Sequence, residues 1–103
     1  MNLTNSHRRK LLTIITEAVL EESLIREILR LGAHGYTVSD ARGKGDRGVR
    51  SASWEASSNI RIEVVCTAEM AEAIGALLKK NYYENYAMIV FVSEVEVMRP
   101  EKF

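Results

Sequence analysis

The chain has 103 residues, a formal net charge of +0 and a single cysteine. This length predicts one small domain spanning residues 1–103, and the neutral balance argues against a protein whose whole surface attracts nucleic acid or membrane. Because one cysteine cannot form an internal disulfide, and no apolar run approaches the roughly 20 residues of a membrane helix, we expect a cytoplasmic protein without direct membrane insertion.

The first half of the chain alternates between strand-like and helix-like patterns. Residues 10–16 form a β-branched apolar run that predicts a strand, and from Ala18 to Leu31 the apolar residues recur with a helical period. Gly32 follows where such a helix takes a left-handed cap. Residues 35–41 then predict a second strand, which leads into a glycine-rich stretch.

The second half repeats this order. Residues 60–66 alternate with period two and predict a strand whose apolar face carries Ile60, Ile62, Val64 and Cys66. Thr67 is expected to cap a second helix. The buried stripe of this helix is predicted to contain Met70, Ile74, Leu77 and Leu78. The last strand, residues 87–98, is apolar on both faces and is expected to end at Pro100.

This order of elements predicts an α+β fold, the ferredoxin-like split βαβ sandwich (βαββαβ). Two helices cover one face of a four-stranded antiparallel sheet in that fold. The doubly apolar last strand would then leave a large exposed patch. We therefore expect the helix-free face to be buried in an oligomer, a small closed ring, with Val90 and Val92 in the interface.

The glycine-rich stretch, residues 41–51, reads Ala-Arg-Gly-Lys-Gly-Asp-Arg-Gly-Val-Arg-Ser. Closely spaced glycines let main-chain N–H groups approach a ligand, and the interleaved arginines add forked donors suited to phosphate. The stretch therefore predicts an anion site for a nucleotide phosphate. Alternatively, it is a solvated hairpin tip or a mobile arm for nucleic acid. A Walker A loop is absent, and the polar residues 49–59 do not suit the helix of a dinucleotide fold.

Other residues give weaker signals. Cys66, on the apolar face of a strand, is more typical of a core residue than of a nucleophile. His7 and His34 lack the neighbours of a metal site or a catalytic dyad. We therefore predict no catalytic residue and no metal site.

Residues 32–38, Gly-Ala-His-Gly-Tyr-Thr-Val, and residues 43–51 resemble the PII-like signalling proteins of the inorganic-carbon branch. That branch includes SbtB and the carboxysome-associated PII-like proteins, and the similarity runs over nearly the whole chain. Its members are ferredoxin-like homotrimers that bind adenine nucleotides in clefts between subunits. A T-loop between the second and third strands relays occupancy to a partner, and the resemblance places this loop at about residues 42–59.

The resemblance also implies a set of site residues. The phosphates would contact Gly43, Lys44, Gly45, Arg47, Arg50 and Ser51. The adenine would contact Thr37, Val38 and Ser39 of one subunit. From the neighbouring subunit it would contact Ala87, Met88 and Ile89. A bicarbonate ion would bind beside the phosphates, near Arg47 and Arg50. The mobile T-loop would present Trp54 to a partner, unless this side chain folds back onto its own subunit.

The implied function is that of a non-enzymatic signalling protein that binds ADP or AMP, with ATP or cyclic AMP as other candidates, and senses bicarbonate without a covalent cofactor. It would regulate inorganic-carbon uptake or carboxysome function through a transporter or a carboxysome component. Residues 49–59 lack the modifiable tyrosine of nitrogen-sensing PII proteins, and residues 81–86 lack their glycine-rich ATP-holding turn. The alternative is a weak adenine-nucleotide phosphohydrolase in the same cleft, although Asp46 is the only acid in the glycine-rich stretch, residues 41–51. A nucleic-acid-binding module is less favoured, since Trp54 is a poor stacking platform by itself.

Overall fold

The computed structural model describes residues 5–43 and 58–103. Its main elements follow in the order β1 (Arg8–Glu17), α1 (Glu21–Leu31), β2 (Thr37–Ala41), β3 (Asn59–Cys66), α2 (Ala68–Asn81) and β4 (Met88–Glu96). Short 3-10 turns precede β1, join β1 to α1 and follow β4, at Asn5–His7, Ala18–Leu20 and Pro100–Lys102. The predicted order of strands and helices is confirmed.

The four strands form one antiparallel sheet in the order β2-β3-β1-β4. Strand β1 lies in the middle, where Ile14 pairs with Ile62 of β3 on one side and with Val90 of β4 on the other. This arrangement is the ferredoxin-like split βαβ sandwich that the sequence predicts. It leaves β2 and β4 as the two edge strands.

The hydrophobic core lies between the two helices and one face of the sheet. Apolar residues alternate along the strands and recur with a helical period in α1 and α2, so apolar side chains from all these elements point into this layer. Its almost fully buried members are Leu12, Ile14, Leu24, Ile28, Ile62, Val64, Ile74 and Leu78. Burying a side chain of this size stabilises the fold by about 1.5–3 kcal/mol. In α2, Ala71 belongs to the buried stripe, whereas Met70 and Leu77 lie at its margin and are only partly buried.

Both predicted helix caps are confirmed. Gly32 has φ +112°, and its N–H bonds the carbonyl oxygens at the end of α1. The Thr67 hydroxyl accepts a hydrogen bond of 3.2 Å from the Met70 N–H. The ends of two other elements differ from the expectation. Residues 18–20 form a 3-10 turn before α1, and β4 stops at Glu96, so that Pro100 opens the last turn instead of ending the strand.

The side of the sheet without helices carries exposed apolar side chains. Thr13 pairs with Phe91, so both lie on this face together with Ile89, and Phe91 and Ile89 are 44% and 42% exposed. Val90 and Val92 pair with Ile14 and Leu12 of the core and therefore lie on the helix side. The prediction that these two valines occupy an interface on the helix-free face is wrong. A strand that is apolar on both sides gives no sequence signal for which face is inward.

Candidate functional site

One end of the sheet gathers the segments that the sequence singles out. Ala41, the last residue of β2, pairs with Asn59, the first residue of β3. Thr16, near the end of β1, pairs with Ile60 and with Met88 at the start of β4. The connection between β2 and β3 therefore leaves the sheet at the end where β4 begins.

The two predicted groups of adenine contacts lie on opposite edges of this sheet. Thr37, Val38 and Ser39 belong to β2, whereas Met88 and Ile89 belong to β4, and β3 and β1 lie between them. Three strand spacings separate the two edges, which is about 14 Å. A single subunit therefore does not bring the two groups together around one adenine ring.

On β2, alternate residues face different layers. Thr37 and Ser39 are exposed and lie on the helix-free face, opposite Glu63 and Arg61. Val38 pairs with Ile62 and packs against the core. A ligand at this edge would reach the side chains of Thr37 and Ser39, whereas Val38 offers mainly its backbone.

Only the two ends of the T-loop, residues 42–43 and 58–59, fall in the described part of the chain. Arg42 and Gly43 are exposed, and a Cβ built on Gly43 would meet no atom within 4 Å. Packing within the described residues therefore does not require glycine at position 43. The other predicted loop contacts lie outside the described residues: Lys44, Gly45, Arg47, Arg50, Ser51 and Trp54.

The start of β4 is anchored from inside the subunit. The Thr16 hydroxyl donates a buried hydrogen bond of 2.8 Å to the carbonyl oxygen of Ala87, which is itself 4% exposed. Met88 packs partly against the core, so Ile89 is the predicted contact on this strand with a clearly exposed side chain. Thr16 was not selected from the sequence, where it reads simply as part of a β-branched strand.

The turn before β4 is held by contacts of two tyrosines, Tyr82 and Tyr86, which the sequence analysis also missed. The Tyr82 ring is buried, its hydroxyl lies 3.1 Å from the Ser23 hydroxyl, and its centroid is 6.0 Å from that of Tyr86. The Tyr86 N–H donates to the Tyr82 carbonyl oxygen at 3.1 Å. A usable signal existed, since Tyr82 continues the helical spacing of Ile74 and Leu78.

The charged groups near β2 form an additional feature that was not predicted. Arg61 and Glu63 form an ion pair of 3.4 Å on the helix-free face, directly opposite Ser39 and Thr37. Both side chains remain partly exposed, so the pair contributes little stability in the isolated subunit. It places a guanidinium beside the exposed edge of β2.

The described residues give little support for a nucleophilic cysteine or for a metal site. Cys66 is 4% exposed and belongs to the core cluster, which confirms its interpretation as a core residue, and burial raises the pKa of its thiol. The thiol is therefore protonated at neutral pH and a weak nucleophile. Within residues 5–43 and 58–103, no three His, Cys, Asp or Glu side chains cluster as metal ligands. In the same ranges no helix is long and apolar enough to cross a membrane.

The fold is a split βαβ sandwich in which about 17 residues connect β2 to β3. The sequence profile of the family "Nitrogen regulatory protein P-II" matches residues 9–102. The chain belongs to this family, and it is a PII-like signalling protein.

Solved structures agree with this assignment. A protein of Thermus thermophilus described as PII-like and signalling is 44% identical, with a TM-score of 0.80, over 100% of this chain and 99% of its own. CPII of Thiomonas intermedia, bound to ADP and bicarbonate, is 28% identical, with a TM-score of 0.80, over 93% of this chain and 94% of its own. The same protein bound to ADP, AMP and acetate is 26% identical, with a TM-score of 0.82, over 100% of this chain and 98% of its own. The resemblance stated from the sequence is confirmed.

Proposed function

We propose that this protein binds an adenine nucleotide, ADP or AMP in preference to ATP or cyclic AMP, in clefts between the subunits of a homotrimer. One observation carries the proposal: the two groups of predicted adenine contacts lie on opposite edges of one sheet, about 14 Å apart. A nucleotide that uses both groups needs the β2 edge of one subunit and the β4 edge of another. The bound ADP of CPII supports the choice of ligand.

Bicarbonate is the second proposed ligand. It would bind beside the phosphates at Arg47 and Arg50, and CPII with bound ADP and bicarbonate supports this pairing. Occupancy would then change the conformation of the T-loop, residues 42–59, and its contact with an inorganic-carbon transporter or a carboxysome component through Trp54.

We propose that the protein acts by binding nucleotide and not by hydrolysing it. Chromatography should therefore show that ADP or ATP incubated with the protein remains intact.

Calorimetric titration tests the ligands directly. AMP, ADP, ATP and cyclic AMP are titrated into the protein, each with and without bicarbonate. ADP or AMP should bind most tightly, and any change that bicarbonate makes in the affinity for the nucleotide should be matched by an equal change that the nucleotide makes in the affinity for bicarbonate. No heat with any adenine nucleotide would contradict the proposal.

Subunit complementation tests the location of the site. A Ser39→Tyr variant blocks the β2 half, and an Ile89→Tyr variant blocks the β4 half without placing a charge on the helix-free face, so each homotrimer should lose nucleotide binding. Co-expressed mixed trimers should recover about one cleft in four, because random mixing pairs an intact β2 edge with an intact β4 edge that often. A site within one subunit would recover none, since every subunit carries one blocked half. Sedimentation of both homotrimers checks that assembly is preserved.

A further inference from the structure

The chain after β4 turns back over the end of the sheet that lies opposite the T-loop. Strand β4 ends beside the start of β1, where Arg8 pairs with Glu96, and the Val97 N–H donates to the His7 carbonyl oxygen at 2.8 Å. Residues 100–102 then form a 3-10 turn that is closed by the Phe103 N–H donating to the Pro100 carbonyl oxygen. We call residues 97–103 the C-terminal strap.

Arg9 fastens this strap from the first strand. Its guanidinium donates to the main-chain oxygens of Pro100 at 2.9 Å and of Phe103 at 3.2 Å. The same group donates to the carbonyl oxygens of Ser6 and Arg8 at 3.0 and 2.8 Å. Planar guanidinium donors suit such a cluster of carbonyls, so Arg9 ties the strap to the turn that precedes β1.

His34 fastens the strap at a second point. Its Nδ1 lies 3.0 Å from the carbonyl oxygen of Lys102. Because a carbonyl oxygen only accepts, Nδ1 carries the proton in this contact. His34 belongs to the connection between α1 and β2, so the strap is held by two segments that are distant from it in sequence.

The strap closes a small pocket over the single thiol of the chain. Gly32, His34, Cys66 and Met70 are among the residues that line this pocket, and Phe103 closes it from the strap side. Phe103 is half-buried, whereas the Cys66 side chain is buried. Access to Cys66 along this route therefore depends on the position of Phe103.

We propose that the C-terminal strap is releasable: Arg9 and His34 hold it closed over the Cys66 pocket, and its opening admits solutes to Cys66 while the sheet stays folded. In the described part of the chain, no strap residue belongs to the core cluster, and Met98 is 63% exposed. A segment that is held by a few side-chain hydrogen bonds and little buried area opens more easily than the core. Strand β4 already ends at Glu96, so opening leaves the pairing of the sheet intact.

Thiol labelling of the native protein tests this proposal. Under native conditions Ellman's reagent converts Cys66 to a mixed disulfide and releases one coloured thiolate for each thiolate that attacks it. Arg9→Ala should label at least about tenfold faster than the wild-type protein, because it removes two charge-assisted contacts to the strap. The matched control is Arg8→Ala, which removes an equal charge from the neighbouring residue and should leave the rate unchanged. His34→Ala, at an exposed position, should give a smaller acceleration.

The free energy of unfolding is measured by urea titration for each variant, so that local opening is separated from global unfolding. The strap proposal requires that the labelling rate of Arg9→Ala rises by more than the loss in its free energy of unfolding explains. It also requires that the labelling rate of the wild-type protein hardly changes at low urea concentrations. Equal rates in Arg9→Ala and Arg8→Ala, or labelling that follows global unfolding in every variant, would overturn it. If Arg9→Ala fails to fold, Arg9→Lys decides the question, because it keeps the charge but loses the forked donation to the strap.

Discussion

Thr16 and Ala87 are joined by a buried hydrogen bond of 2.8 Å that fixes the start of β4 beside the end of β1. The bond matters for function because β4 begins with the predicted contacts Met88 and Ile89. It also satisfies a main-chain oxygen that is shielded from water, since Ala87 is 4% exposed. The position of the β4 edge therefore depends on a side chain in the centre of the sheet.

Thr16→Val should destabilise the protein. The substitution keeps the shape but leaves the buried Ala87 oxygen unpaired, at a cost of about 1–3 kcal/mol. Thr13→Val is the matched control, because Thr13 lies on the same strand, is equally buried, and its hydroxyl has no partner among the described residues. Removing that hydroxyl should be neutral or stabilising. Urea unfolding measures both effects, and equal changes in the two variants would contradict the role of Thr16.

Cys66 should make stability depend on pH in the alkaline range. Burial raises the pKa of the thiol above its ordinary value of 9.0. At pH values well below 9.0 the thiol is protonated in the folded and in the unfolded protein, so it adds no pH dependence to the free energy of unfolding. As pH rises through 9.0, the unfolded chain ionises first, so the free energy of unfolding falls until the folded thiol ionises as well.

A Cys66→Ala variant isolates this contribution from the tyrosines and lysines that titrate in the same range. Its stability should decline less steeply than that of the wild-type protein between about pH 8 and pH 10. Parallel curves from urea unfolding would show that burial of the thiol has no energetic consequence. The absolute stability of the variant is a separate matter, because it also loses packing.

How far the sequence predicts the fold depends on the kind of signal. The alternation in β3, the cap at Thr67 and the glycine at position 32 are local patterns, and all three are confirmed. The inward face of β4 was not predictable, because both faces are apolar and the pairing of Leu12 with Val92 decides it. Arg9 was missed because its partners Pro100 and Phe103 lie more than 90 residues away in sequence. The phosphate contacts that the resemblance implies at 44–51 remain predictions.

Phe91→Asp should disrupt the proposed trimer. Phe91 lies on the helix-free face and is 44% exposed in the subunit, so covering it would stabilise an assembly by removing apolar area from water. A carboxylate buried there without a partner costs several kcal/mol. Val19→Asp is the control, because Val19 is 80% exposed but lies on the turn before α1. Sedimentation at micromolar concentration should show a smaller species for Phe91→Asp alone, and a monomeric wild-type protein would contradict the trimer.

Arg47→Ala and Arg50→Ala should each weaken nucleotide binding about tenfold to a hundredfold, because a hydrogen bond to a charged group contributes roughly 1.5–3 kcal/mol. Lys44→Ala should cost less, since an ammonium acts as a point charge without the forked geometry of a guanidinium. Arg42→Ala is the matched control: it removes the same charge from an exposed residue at the base of the loop that is not among the predicted contacts. Calorimetric titration with ADP measures all four variants. If Arg47→Ala and Arg50→Ala bind ADP as tightly as Arg42→Ala, the glycine-rich loop does not hold the phosphates.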